Sequence, residues 1–240
     1  MTTDHEAERL ERKRQLALGY RIFAALRWGD LGDGHITARD PERPDCFWLL
    51  GHPVSFDAAT VDDLVLVGPD GRVVEGRGPI NNTAYYIHWP VHEARSDVVA
   101  AAHTHTAWGT PFATTRRLLT PITQEACVFH DDHSLFDDEE VQVFGVDGGK
   151  RIAAALGDNR AVILANHGIL TVGASVAEAV ASFVTMDRVA EAHLKAPDAV
   201  PISNESAAAA KADLGPERSL LSGFDFLVAR HVGDPSVVDG

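Results

Sequence analysis

The chain has 240 residues, 45% of them hydrophobic and 23% charged, enough to bury one large core. Its net charge of −14 disfavours nucleic acid and anionic membrane surfaces as partners, although a local pocket can still take a small anion. Two cysteines, Cys46 and Cys127, make no disulfide framework, no apolar run has the length of a membrane span, and the charged stretch 1–14 does not read as a secretory leader, so a cytoplasmic, reduced protein is expected.

Residues from about 4 to 28 have helical periodicity, with Leu10, Leu16, Ile22, Phe23 and Leu26 on the buried side and Arg12, Lys13 and Arg14 in water. A glycine-rich turn over 28–34 leads into a strand over 35–40. Glycines followed by the Thr37 hydroxyl and the basic Arg39 can offer groups to an anion, or form an ordinary helix-to-strand loop. The proline-rich loop 41–53 surrounds a strand over 46–50. Residues 64–76 read as a hairpin about Pro69-Asp70-Gly71. A helix follows over 81–93. Its His88 and His92 lie one turn apart, a spacing that can bind a metal but more commonly serves structure.

The run 98–106 organises the chain. Small and apolar residues, Val98 to Ala102, lead into His103-Thr104-His105 and read as a strand buried on both faces. Side chains alternate along a strand, so the two imidazoles point the same way, roughly 7 Å apart along the backbone. They suit either one metal ion or two hydrogen-bonded core positions. A second apolar run over 161–173 is broken by Asn166-His167-Gly168. His167 there is a third ligand or part of a polar hairpin turn. Three neutral imidazoles suit zinc, iron, cobalt or manganese and leave coordination positions open.

Between these runs, 124–133 is dense in ligand-type residues and the acidic run 137–140 reads as a solvated face. A helix is expected over 148–156 and a strongly periodic one over 176–194. Beyond Ala196 lies a tail with short helices over 206–214 and 220–230. Interleaved strands and helices make the fold α/β, a mixed central sheet between helical layers. One domain is expected, its core about 10–196 and its tail 197–240.

Three pieces, Gly34-His35-Ile36-Thr37-Ala38-Arg39-Asp40-Pro41, Ala102-His103-Thr104-His105 and Asn166-His167-Gly168-Ile169-Leu170, together resemble the class II aldolase/adducin family over roughly residues 10–230. The resemblance implies a three-layer α/β/α sandwich with a mixed, mainly antiparallel sheet, assembled as a homotetramer with active sites between subunits. It implies a divalent metal on His103, His105 and His167, zinc first, with iron(II), manganese and cobalt as alternatives. In the family's sugar-phosphate aldolases that metal neutralises the enediolate formed as a C–C bond breaks.

This chain departs from that pattern at Ala84, where the aldolases carry an acid/base glutamate and the epimerases an aspartate. Proton transfer then falls to another group: His133 first, then His130 and Tyr85, with Tyr86 also near. Gly34, Thr37, Asn82 and Thr83 are the expected substrate-binding residues, and Arg39 the partner of a substrate carboxylate. The leading expectation is a metal-dependent lyase acting on a small hydroxy or keto substrate by aldol cleavage or decarboxylation. A non-haem iron oxygenase on the same three histidines and a non-catalytic adducin-like assembly module are the alternatives.

Overall fold

The computed structural model describes residues 2–138, 140–214 and 216–240. Eight strands form one sheet in the order β4-β3-β2-β1-β5-β8-β7-β6. They are β1 (Gly34–Arg39), β2 (Phe47–Leu50), β3 (Leu64–Val67), β4 (Val73–Glu75), β5 (Ala100–Thr104), β6 (His133–Phe136), β7 (Ala161–Leu164) and β8 (Gly168–Gly173). Neighbours pair antiparallel except β6 with β7, so the sheet is mixed and mainly antiparallel, as expected. β6 was not foreseen. It starts at His133, the last residue of the polar stretch 124–133, and of its four residues only Leu135 and Phe136 carry strand character.

Helices cover both faces, giving the three-layer sandwich. On one side α1 (Thr2–Ala25), α5 (Val176–Lys195) and α7 (Pro216–His231) bury Leu16, Tyr20, Phe23, Phe183 and Phe224 against Ile36, Ala100 and Ala102. On the other, α2 (Asn82–Ala94) and α4 (Val146–Leu156) bury Ile87, Val91, Ile152 and Leu156 against Ala101, Val162 and Leu170. Two short helices, α3 (Gly109–Ala113) and α6 (Asn204–Leu214), complete the set. The stretch expected as a tail is therefore helical and partly in the core, through Leu220 and Phe224. Among the described residues no helix is long and apolar enough to cross a membrane.

Local chemistry sets the helix ends. Asn81 caps α2 by accepting from the Thr83 backbone N–H at 3.0 Å, and Ser175 caps α5 by accepting from that of Glu178 at 3.1 Å. α1 stops where Arg27 turns left-handed, at φ 63°, and the Trp28 N–H reaches back to the Phe23 carbonyl. The helix is pinned to the sheet by the buried Asp40, which accepts from Arg9 at 2.7 Å and from the Trp48 indole at 2.8 Å. Burial pushes the Asp40 carboxyl up, but these bonds and the backbone N–H groups of Arg43 and Glu42 outweigh it and hold the group at about 2. The acidic run is tied down in part: Arg151 pairs with Asp138 and Glu140. Glu139 lies outside the described residues.

Candidate metal centre

The pleat of β5 sends Ala100 and Ala102 toward α1 and α5, and Ala101 and His103 toward α2 and α4. His103 is thereby placed mid-sheet, opposite His35 on β1 and Leu170 on β8. Its Nδ1 lies 2.8 Å from the Ile169 carbonyl, an acceptor only, so Nδ1 carries the proton and Nε2 keeps its lone pair. His105 follows the strand end, with Nδ1 3.3 Å from the Asp33 carboxylate. The loop beyond it is braced by the buried Asp187, which accepts from the Thr106 hydroxyl at 2.5 Å and the Gly109 N–H at 2.8 Å. Burial pushes the Asp187 carboxyl upward against those bonds.

His167 arrives from the β7–β8 turn. Asn166 adopts the left-handed conformation, φ 57°, that asparagine tolerates. The His167 N–H donates to the Leu164 carbonyl at 3.0 Å and the Asn166 N–H to that of Ala113 at 3.2 Å, fixing the turn. The three rings meet nearly edge to face, their centroids 4.8 to 5.6 Å apart, and one ligand nitrogen from each lies within 4.8 Å of the others. Two nitrogens ~2.1 Å from one ion are at most about 4.2 Å apart, so small ring rotations close the set. Burial, then the neighbouring imidazoles, push His103 well below the usual histidine range; burial and His105 bring His167 to about 4. Both are thus neutral at pH 7, the form that binds a metal. Exposure rises from the buried His103 through His167 to His105, so the set opens outward.

Outside it lies a pocket of about 390 Å³, walled by Asp33, Gly34, His35, Asn81, Thr83 and Asn166 among others. A side chain at Gly34 would collide with that of Thr104, so the wall needs glycine there. Of the expected substrate-binding residues, Gly34 and Thr83 line this pocket. Asn82 does not: it is exposed, and its neighbour Asn81 takes the wall position. Thr37 is fully buried behind the wall, bonded to His88 and His92. Arg39 lies at the far end of β1, outside this pocket, its guanidinium donating to the carbonyls of Val98, Pro44, His92 and Arg95.

The three expected proton carriers are all drawn elsewhere within the chain. Tyr85 faces away from the pocket and donates to the Pro69 carbonyl at 2.7 Å. His133 spends both ring nitrogens on backbone: Nδ1 donates to the Phe129 carbonyl at 2.7 Å, and Nε2 accepts from the Leu119 N–H at 2.9 Å. His130 ends the short 3-10 turn Glu125–Phe129, beside Asp131 and near α6, where its carbonyl accepts from Lys211. Ala84 is buried among Phe47, Leu49, Val65 and Val67, so that position brings no polar group to the wall. The residues that sequence reasoning passed over are Asp33, His35, Asn81, Gln142 and Asn166. Their signal was adjacency: Asp33 and His35 flank Gly34, and Asn166 precedes His167.

The sequence matches the family model for the class II aldolase and adducin N-terminal domain over residues 14–194. It is 41% identical over 175 residues to "Decarboxylase NovR" of Streptomyces niveus, covering 71% of this chain and 64% of that protein. It is equally identical, over 71% of this chain and 62% of the relative, to a 4-hydroxy-3-prenylphenylpyruvate oxygenase/4-hydroxy-3-prenylbenzoate synthase of Streptomyces roseochromogenus subsp. oscitans. The matched part thus spans less than two thirds of either relative. Among solved structures, an L-fuculose 1-phosphate aldolase from Glaciozyma antarctica PI12 superposes with a TM-score of 0.82 at 33% identity, over 93% of this chain and 91% of that one. With the sandwich and these likenesses together, the chain belongs to the class II aldolase/adducin family.

Proposed function

We propose that the chain is a divalent-metal-dependent lyase that breaks a C–C bond next to a carbonyl in a small hydroxy or keto substrate, by aldol cleavage or decarboxylation. The observation that carries this reading is the convergence of three imidazoles on the inner wall of a pocket large enough for such a molecule. A divalent cation there, zinc first with iron(II), manganese and cobalt as alternatives, would supply positive charge beside the reacting carbonyl as a Lewis acid. The chain's own groups prepare for it. The Ile169 carbonyl holds the Nδ1 proton of His103 and keeps its other nitrogen free, and the Asp33 carboxylate lies 3.3 Å from Nδ1 of His105. The N-terminus of α2 brings the side chains of Asn81 and Thr83 to the pocket wall, where they can hydrogen-bond a polar substrate. With alanine at 84, the titratable groups left on the wall, among the described residues, are Asp33 and His35. The reading includes a homotetramer with pockets completed between subunits; a fully active monomer by light scattering would count against that part.

Elemental analysis of protein purified without added metal, followed by assays of retro-aldol cleavage, CO₂ release and O₂ uptake on 2-keto and 2-hydroxy acids, tests the reading. One equivalent of zinc or manganese and cleavage without O₂ is expected. Tightly bound iron with O₂ consumption would move the assignment to an oxygenase. That second reading is favoured by the name of one 41% identical relative. A chain that holds no metal and turns over nothing sinks both and leaves the assembly module.

A further inference from the structure

Two side chains on the pocket wall have their hydrogen-bonding polarity fixed by their neighbours. Asn81 Oδ1 lies 3.0 Å from the Thr83 backbone N–H, a group that can only donate, so the atom facing it is the amide oxygen. The amide nitrogen is the other branch, and among the described residues it takes no partner. Thr83 Oγ1 is 2.6 Å from the same amide oxygen. That oxygen has no proton to give, so the Thr83 hydroxyl donates to it and keeps only lone pairs. Both residues line the pocket and both are partly exposed. The start of α2 therefore offers a donor, Asn81 Nδ2, beside an acceptor, Thr83 Oγ1.

The rest of the wall decides what such a pair can hold. Among the described residues lining this pocket none is a lysine or arginine, and Asp33 adds a carboxylate. Ile87 and Val143, both almost fully buried, add apolar surface. A phosphate group here would lack a counter-charge, share the pocket with a carboxylate, and set its oxygens against the lone pairs of Thr83. A hydroxyl is the smallest group that accepts once and donates once, so it satisfies Asn81 and Thr83 together.

We propose that Asn81 and Thr83 are specificity-determining residues that bind a hydroxyl at the end of the substrate away from the three histidines, so that the pocket takes an unphosphorylated, hydroxyl-bearing molecule and rejects a phosphate ester. The inference deepens the lyase reading and rests on it for the place of the substrate's other end.

Titration calorimetry on zinc-loaded protein tests this with three matched sets of probes. All carry a hydroxamate, which chelates zinc, on a chain of two to four carbons. The far end is a hydroxyl in the first set, a plain alkyl end in the second, and the phosphate ester of the hydroxyl in the third. At the length that fits, the hydroxyl compound should bind about fivefold more tightly than the alkyl one and at least about tenfold more tightly than the phosphate ester. Asn81→Ser keeps a capping oxygen for the Thr83 N–H but loses the amide donor, and Thr83→Val keeps the shape but loses the acceptor. Each should bring the advantage of the hydroxyl over the alkyl end to within about twofold, while alkyl affinity itself moves by no more than about twofold. A purely structural role would shift all three sets alike. A phosphate ester that binds as tightly as the hydroxyl compound, a hydroxyl that adds nothing at any length, or an advantage that survives both substitutions overturns the proposal and leaves the lyase reading standing. Should a variant fail to fold, the parent series still decides. A protein that takes up no zinc, or none of the hydroxamates, loses both.

Discussion

His103 and His105 lie two residues apart at the end of β5, and His88 and His92 four apart along α2; either spacing can serve a metal. The first pair keeps one nitrogen of each ring uncommitted, because the Ile169 carbonyl and Asp33 engage the other and a third ring, His167, closes the set. The second pair spends three of its four nitrogens internally, on His35 and Thr37, with His92 stacked on Phe47. Burial lowers the proton affinity of His103, His88 and His92 alike. What separates a ligand from a structural histidine here is therefore neither spacing nor burial. It is whether the nitrogens left over converge: one from each of His103, His105 and His167 lies within 4.8 Å of the others, whereas the one left over on the α2 pair, His92 Nδ1, is buried alone.

The comparison breaks most directly at His167. Replacing it by alanine leaves two ligands, and zinc affinity, read by competition with a chromogenic chelator, should fall by more than about 100-fold, the upper figure for losing a mere orienting partner. Unfolding midpoints of the metal-free protein should move little, since the ring is half-exposed. His88→Ala should do the reverse. It strands Thr37 and His35 in the interior and opens a cavity, so urea unfolding should show a loss of about 3 kcal/mol, while zinc affinity stays within about tenfold of the parent. If His88→Ala abolished zinc binding at unchanged stability, the division between the two pairs would be wrong.

Asp33→Asn probes a smaller term. The carboxylate 3.3 Å from His105 Nδ1 is placed to orient that ring toward a metal. The amide keeps the shape and loses the charge. Zinc affinity should fall about 10- to 100-fold, the ordinary cost of a lost orienting partner, with the pocket otherwise intact. No change would mean that Asp33 serves the turn before Gly34 rather than the ligand.

Much of this arrangement was legible in advance, for local reasons. β5, β7 and β8 are apolar runs, α5 repeats its apolar stripe, and the hairpin of β3 and β4 is marked by Pro69-Asp70-Gly71. His103 and His105 share a side through the pleat, and Gly168 allows close approach beside His167. The choice of acid/base and binding residues was not local. Arg39, Tyr85 and His133 each carry suitable chemistry, yet each is claimed by backbone carbonyls or N–H groups brought in from other segments. Thr37 and His88 are 51 residues apart and meet only because β1 pairs with β5 beneath α2. Asn81 was hidden for a different reason: helix ends shift by a residue or two, and the cap rather than the first helical residue reached the pocket.

The smallest effect per step is the pH dependence of the metal-free fold, and it tests the buried pair alone. The folded-state value of His92 is depressed to about 3, against about 6.5 in the unfolded chain. Above pH 6.5 neither state carries the proton, and stability does not depend on this group. Below it the unfolded chain takes up a proton that the folded protein refuses, so stability falls as the pH drops, until the pH approaches 3. The slope is at most about 1.4 kcal/mol per pH unit for each such histidine. His88, depressed in the same direction by burial and by His92, adds its own share. Carboxylates such as Asp40 also lose stability on acidification, so the measurement is a difference between two proteins. Urea midpoints of the parent and of His92→Phe, a replacement that keeps an aromatic ring against Phe47, should be compared between pH 4 and pH 6. The variant should be the less sensitive by about 1.4 kcal/mol per pH unit, whatever its stability at neutral pH. Equal slopes would mean that His92 already carries a proton in the folded protein, against the burial that depresses it.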